Sequence, residues 1–91
     1  MKNNILKNEE KIFKALANHR RLEIVHFLKV NKTATVGELA RHLKISFKST
    51  SKHLQILLGV EIVEKKQKSL LMIYTIGNPD SNIAKKIISL L

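Results

Sequence analysis

At 91 residues, 44% of them apolar, the chain can build one modest hydrophobic core and is too short for two. It has no cysteine, which excludes disulfides, thiolate metal sites and cysteine nucleophiles together. Seventeen lysines and arginines against seven acids leave a formal net charge of +10; such a surface gathers polyanions, nucleic acid first, with an anionic membrane or merely solvated charge as weaker readings.

The opening segment MKNNILKNEEK has no apolar stretch of signal-peptide length, and no run approaches a membrane span. A cytoplasmic protein with no membrane partner is expected. Asn8 to Ala17, with a start nearer Asn4 left open, reads as a helix whose Ile5, Leu6, Ile12, Phe13 and Leu16 form an apolar stripe. A second helix is expected over Arg20 to Val30, with Leu22, Ile24, Val25, Phe27 and Leu28 on a broad buried face. After the polar break NKTAT, Val36 to Leu43 keeps the helical spacing of Val36, Leu39, Ala40 and Leu43.

The segment SFKSTSKHLQIL (46–57) follows. Ser46 is a good N-cap, since its hydroxyl can accept from the free amides of the first turn. At 100° per residue Phe47, Thr50, Leu54, Leu57 and Leu58 fall on one side of this helix; Lys48, Ser49, Lys52 and Gln55 fall on the other, with Ser51 and His53 at the borders. The leucine side anchors the helix, and the opposite side is a compact surface of short hydroxyls and long cations. Beyond Gly59, EIVEKK and LLMIYTI are β-rich runs around the polar QKS, which predicts a hairpin. Gly77, Asn78 and Pro79 break the chain, and Asp80 or Ser81 can cap a last helix in which Ile83, Ala84, Ile87, Ile88 and Leu91 recur at helical spacing.

The expected fold is mainly α with a small β-hairpin: a single winged helix-turn-helix domain over residues 1–91, in the order α-α-α-α-β-β-α. The second helix of such a motif enters the major groove of a DNA duplex, where base edges are readable. Ser46, Phe47, Lys48, Ser49, Ser51, Lys52 and His53 are the candidate DNA-binding residues there, joined by Lys65, Lys66 and Lys68 of the hairpin. With only Phe13, Phe27, Phe47 and Tyr74 as aromatics, stacking platforms for single strands are scarce, so a duplex is favoured. The rival readings are a winged-helix protein-interaction module, disfavoured by the cationic helix face, and a non-specific DNA packer, which leaves the hydroxyl cluster unexplained.

His19, His26, His42 and His53 fall on three segments with no paired i, i+4 spacing, so no metal site is expected. No carboxylate pair, glycine-rich phosphate loop or nucleophile–base arrangement is visible, and the expectation is a non-enzyme without cofactor. The first and last helices, about 4–18 and 80–91, carry more apolar surface than a domain this small can bury. Ile5, Leu6, Ile12, Phe13, Leu16, Ile83, Ile87 and Leu91 are therefore expected at a homodimer interface.

Nearly the whole chain resembles the arsenic-repressor (ArsR) family of small winged-helix regulators. IFKALANHRRLEIVHFL (12–28) is similar to that family's opening helix pair, VGELARHLKIS (36–46) and STSKHLQIL (49–57) to its helix-turn-helix, and KSLLMIYTI (68–76) to its wing strand. The resemblance implies a homodimeric repressor on a partly palindromic operator, released by a ligand, with a histidine beside DNA at the position of His53. It also marks departures. Thr35 stands where metal-sensing members carry a ligand cysteine, and PDSNIAKKIISLL lacks the acid and histidine pattern of the other common metal site. Glu61 replaces a usual glycine after the recognition helix, and the wing tip lacks its glycine, leaving Lys68 and Ser69 for the turn. The effector is not implied.

Overall fold

A computed structural model describes residues 2–91. Five helices and one hairpin follow in chain order: α1 (Lys2–Leu16), α2 (His19–Asn31), α3 (Val36–Leu43), α4 (Phe47–Gly59), β1 (Val63–Lys68), β2 (Leu71–Ile76) and α5 (Asn82–Leu90). This is the winged helix-turn-helix order expected from the sequence.

Local chemistry sets most boundaries. The Asn18 side chain accepts from the Arg21 amide and starts α2. Thr35 and Glu38 form a capping box at α3: the Glu38 amide donates to the Thr35 hydroxyl at 3.2 Å, and the Thr35 amide donates to the Glu38 carboxylate at 2.9 Å. The residue that stands in a ligand cysteine's place is thus a helix cap. Ser46 caps α4 and Ser81 caps α5, each accepting from the amide three residues on.

The core gathers one stripe from each helix. Ile12, Ala15 and Leu16 of α1, Ile24, Val25 and Leu28 of α2, and Leu39 and Leu43 of α3 meet Leu54 and Leu57 of α4, Ile62, Val63, Tyr74, and Ala84 and Ile88 of α5. Thr50 is buried among them with its hydroxyl donating to the Ser46 carbonyl at 2.9 Å, so it leaves no unpaired polar group behind. Two outward extensions of the expected helices are small: α1 begins earlier than Asn4, and α2 runs from His19 to Asn31.

α4 ends in a Schellman arrangement. The Ile62 amide reaches the Leu57 carbonyl and the Glu61 amide the Leu58 carbonyl, with Glu61 left-handed at φ 62°. A glycine ordinarily takes that position; Glu61 holds it at a steric cost of roughly 1–2 kcal/mol. Gly77 packs against the same turn. Its amide donates to the Ile62 carbonyl at 2.8 Å, and a Cβ there would lie 2.4 Å from the Glu61 carbonyl oxygen.

The hairpin is antiparallel, with Val63 opposite Ile76 and Lys68 opposite Leu71. Its turn is Ser69–Leu70, one residue later than expected: Gln67 and Lys68 belong to β1, and Ser69 takes the positive φ of 59°. The segment before α3 adds a one-residue bridge to the hairpin, Ala34 and Tyr74 exchanging both backbone hydrogen bonds at 3.0 and 2.8 Å. That bridge ties the wing to the helix-turn-helix.

Candidate nucleic-acid interface

The turn between α3 and α4 is three residues, Lys44 to Ser46. Lys44 is left-handed at φ 59° and the Ile45 amide closes back on the Ala40 carbonyl. Arg20 of α2 seals the corner by donating to the Leu43 carbonyl at 2.9 Å. A cation on the exposed carbonyl end of α3 also suits the helix dipole.

α4 then presents two unlike sides. Thr50, Leu54 and Leu57 are buried, whereas Lys48, Ser49, Lys52 and Gln55 are exposed and Ser51 and His53 half-exposed. Neither Lys48 nor Lys52 makes a salt bridge or side-chain hydrogen bond among the described residues. Ser46 and Ser49 form a pair in which the Ser46 hydroxyl donates to Ser49 Oγ at 3.0 Å, leaving the Ser49 proton free. One expected contact of the inner side is absent. Phe47, placed with the leucines by helical angle, is 62% exposed, because the first turn of α4 overhangs the core and the helix is covered only from Thr50 on. It therefore joins the outer surface with Lys48.

His53 is the most constrained residue of this surface. Arg21 of α2 donates to His53 Nδ1 at 3.1 Å, while its other nitrogens donate to the Ala15 and Lys14 carbonyls at the end of α1. Burial, then the charges of Arg21 and Arg20, hold the ring's pKa below the ordinary 6.5. The unfolded chain therefore binds the His53 proton more readily. Stability is unaffected by this group above about pH 6.5 and is lost as pH falls through the folded value. Thermal melts at about pH 7.5 and about pH 5 should show the wild type losing more stability than His53→Gln; equal losses would contradict a lowered His53 pKa.

On the wing, Lys65, Lys66 and Lys68 are all exposed and, among the described residues, unpaired. Strand register divides them: Lys66 and Lys68 share a face with Ile73 and Leu71, while Lys65 lies on the face of Tyr74. Leu70 forms the tip and is 95% exposed.

The remaining histidines lie elsewhere. His19, His26 and His42 border one groove with Leu22, Glu23 and Leu91. Seven residues apart on α2, His19 and His26 share a face, a spacing that an i, i+4 search overlooks. Glu23 Oε1 lies 3.1 Å from His19 Nε2 and 3.5 Å from Arg20, neither contact directed as a hydrogen bond. Among the described residues no set of three or more histidine, aspartate or glutamate side chains is arranged to hold a metal ion, and no helix is long and apolar enough to cross a membrane.

Residues 18–65, which run from the cap of α2 into β1, match the family model described as bacterial regulatory protein, arsR family. The chain belongs to the arsR family. The family is one of regulatory proteins. It is 31% identical over 81 residues to an arsenical resistance operon repressor of Bacillus subtilis, a match covering 89% of this chain and 77% of that protein. Its fold is similar to reduced HlyU from Vibrio cholerae, with a TM-score of 0.80 at 30% identity over 98% of this chain and 90% of that one. It is also similar to the homodimeric winged helix-turn-helix DNA-binding domain of a possible ArsR-family regulator from Mycobacterium bovis, with a TM-score of 0.81 at 26% identity over 98% and 79% of the two chains.

The residues expected at a dimer interface divide in two. Ile5, Leu6, Phe13 and Ile83 are exposed at 63%, 66%, 50% and 39%, and Ile87 and Leu91 are half-buried. Ile12 and Leu16 are not available: at 2% and 5% exposure they are core residues of the protomer, because α1 turns that side of its stripe toward α2 and α4. Leu90, 74% exposed, extends the apolar surface of α5. The two helices meet where the Ser81 hydroxyl donates to the Glu9 carboxylate at 2.8 Å.

Proposed function

We propose that this arsR-family chain is a cytoplasmic, sequence-specific double-stranded DNA-binding regulator that represses as a homodimer on a partly palindromic operator. The observation that carries the reading is the outer side of α4, where Lys48, Ser49 and Lys52 stand exposed opposite buried Thr50, Leu54 and Leu57, with Phe47 exposed at the first turn. A rigidly anchored helix with a solvent-facing row of unpaired cations and small hydroxyls suits insertion into a major groove. Ser46, Ser51 and His53 border that row, and Lys65, Lys66 and Lys68 extend the positive surface along the wing. Repression and dimerisation are supported by the relatives: one is a repressor, another a homodimeric DNA-binding domain.

Lysines neutralise phosphates whatever the sequence, whereas short hydroxyls near base edges discriminate between them. Lys48→Ala or Lys52→Ala should therefore weaken binding to all duplexes alike and reduce the salt slope by about one unit each. Ser49→Ala should change the preferred sequence more than the overall affinity. Binding titrations at several salt concentrations check both; a double lysine variant with an unchanged salt slope would place DNA on another face.

A further inference from the structure

We propose that Arg21 is a positioning residue for a DNA contact made by His53: its guanidinium occupies Nδ1, so the ring presents Nε2–H, as a donor only, to a phosphate oxygen. The proposal rests on the regulator reading above and adds the group that sets the state of one of its contacts.

Three observations carry it. A guanidinium has donors and no acceptor, so the 3.1 Å contact between Arg21 and His53 Nδ1 requires an unprotonated Nδ1. The neutral ring must then hold its proton on Nε2. Among the described residues Nε2 has no hydrogen-bond partner, and it is not among the buried unpaired atoms, so it reaches solvent. His53 lies at the border of the cationic row, one residue beyond Lys52 and one helical turn beyond Ser49. Burial and the two neighbouring arginines keep the ring neutral, in agreement with the geometry.

Two more of the five Arg21 N–H donors go to the Ala15 and Lys14 carbonyls, which lack intrahelical partners at the end of α1, and hold the guanidinium in place beside the ring. The same side chain thus fixes the ring of α4 to the end of the helix that carries Ile5, Leu6 and Phe13. A free neutral histidine interconverts between tautomers; here one is selected before DNA arrives, which spares that cost on binding.

The test has two arms. Long-range nitrogen–proton NMR of the free protein should show Nδ1 of His53 unprotonated and Nε2 protonated, and Arg21→Gln should give a mixture of tautomers. In DNA titrations His53→Gln, whose amide nitrogen sits near the place of Nε2, should retain affinity. His53→Asn, whose amide sits near Nδ1, should lose about tenfold, as Arg21→Gln should. Both His53 variants leave the bonds from Arg21 to α1 in place, so the comparison survives if Arg21→Gln fails to fold. A protonated Nδ1 in the free protein would overturn the proposal, as would equal binding by His53→Asn and His53→Gln. If the wild type binds no duplex, the regulator reading falls and the DNA role of His53 falls with it, while the NMR arm still reports the Arg21 contact.

Discussion

Replacing Gly77 with alanine should lower the melting temperature by roughly 15 °C, from a loss of about 3 kcal/mol in a domain of this size. The added Cβ would meet the Glu61 carbonyl oxygen at 2.4 Å and the carbonyl carbons of Glu61 and Ile62 at 3.2 Å. All three are backbone atoms, so no side-chain rotation relieves the contact. Glu61 is already held left-handed, and the turn it forms ends α4 and starts the wing. Thermal denaturation by circular dichroism measures the effect. A melting temperature within about 2 °C of wild type would mean that the turn yields more easily than its hydrogen bonds suggest.

Glutamate in place of both Ile5 and Leu6 should leave the protomer folded and reduce operator affinity on the order of 100-fold or more, by removing the second half-site contact. Both side chains are more than 60% exposed in the protomer, at 63% and 66%, so the change removes nothing from its core. Ile87 is a poorer site for such a change because it packs partly against the core. Sedimentation at micromolar concentration should show a dimer for the wild type and a monomer for the variant. A wild-type monomer, or a variant that still dimerises, would remove α1 from the proposed interface.

The parts of the fold legible in sequence were those set by local chemistry. Ser46 and Ser81 cap helices because a hydroxyl at that position finds the amides of its own first turn, and periodicity placed Val36–Leu43 to the residue. The wing turn was displaced by one residue because Ser69 carries a positive φ that glycine would have advertised. The exposure of Phe47 escapes sequence for a different reason: helical angle says which residues share a side, but not whether the rest of the protein reaches that far along the helix. The same limit put Ile12 and Leu16 at an interface when they fill the protomer's own core.

At the candidate site, Lys48, Ser49 and Lys52 could be placed from helical phase alone. Arg20 and Arg21 could not. Counted by composition they add to a basic surface, whereas each is spent on the carbonyl end of a helix, at Leu43 and at Ala15. A pair of arginines in the first turn after a helix cap is the signal available in sequence, but their partners lie 23 and 6 residues away and are fixed only by tertiary packing.

The claim on which the rest depends is that α4 reads DNA sequence as part of a symmetric pair. Selection of bound duplexes from a random pool, followed by titration of the selected and a scrambled duplex at one physiological salt concentration, tests it most directly. The expected result is an enriched, partly palindromic motif with half-sites about one helical turn apart, bound at least about 1,000-fold more tightly than the scrambled sequence. An unenriched pool with equal affinity for both duplexes would contradict it.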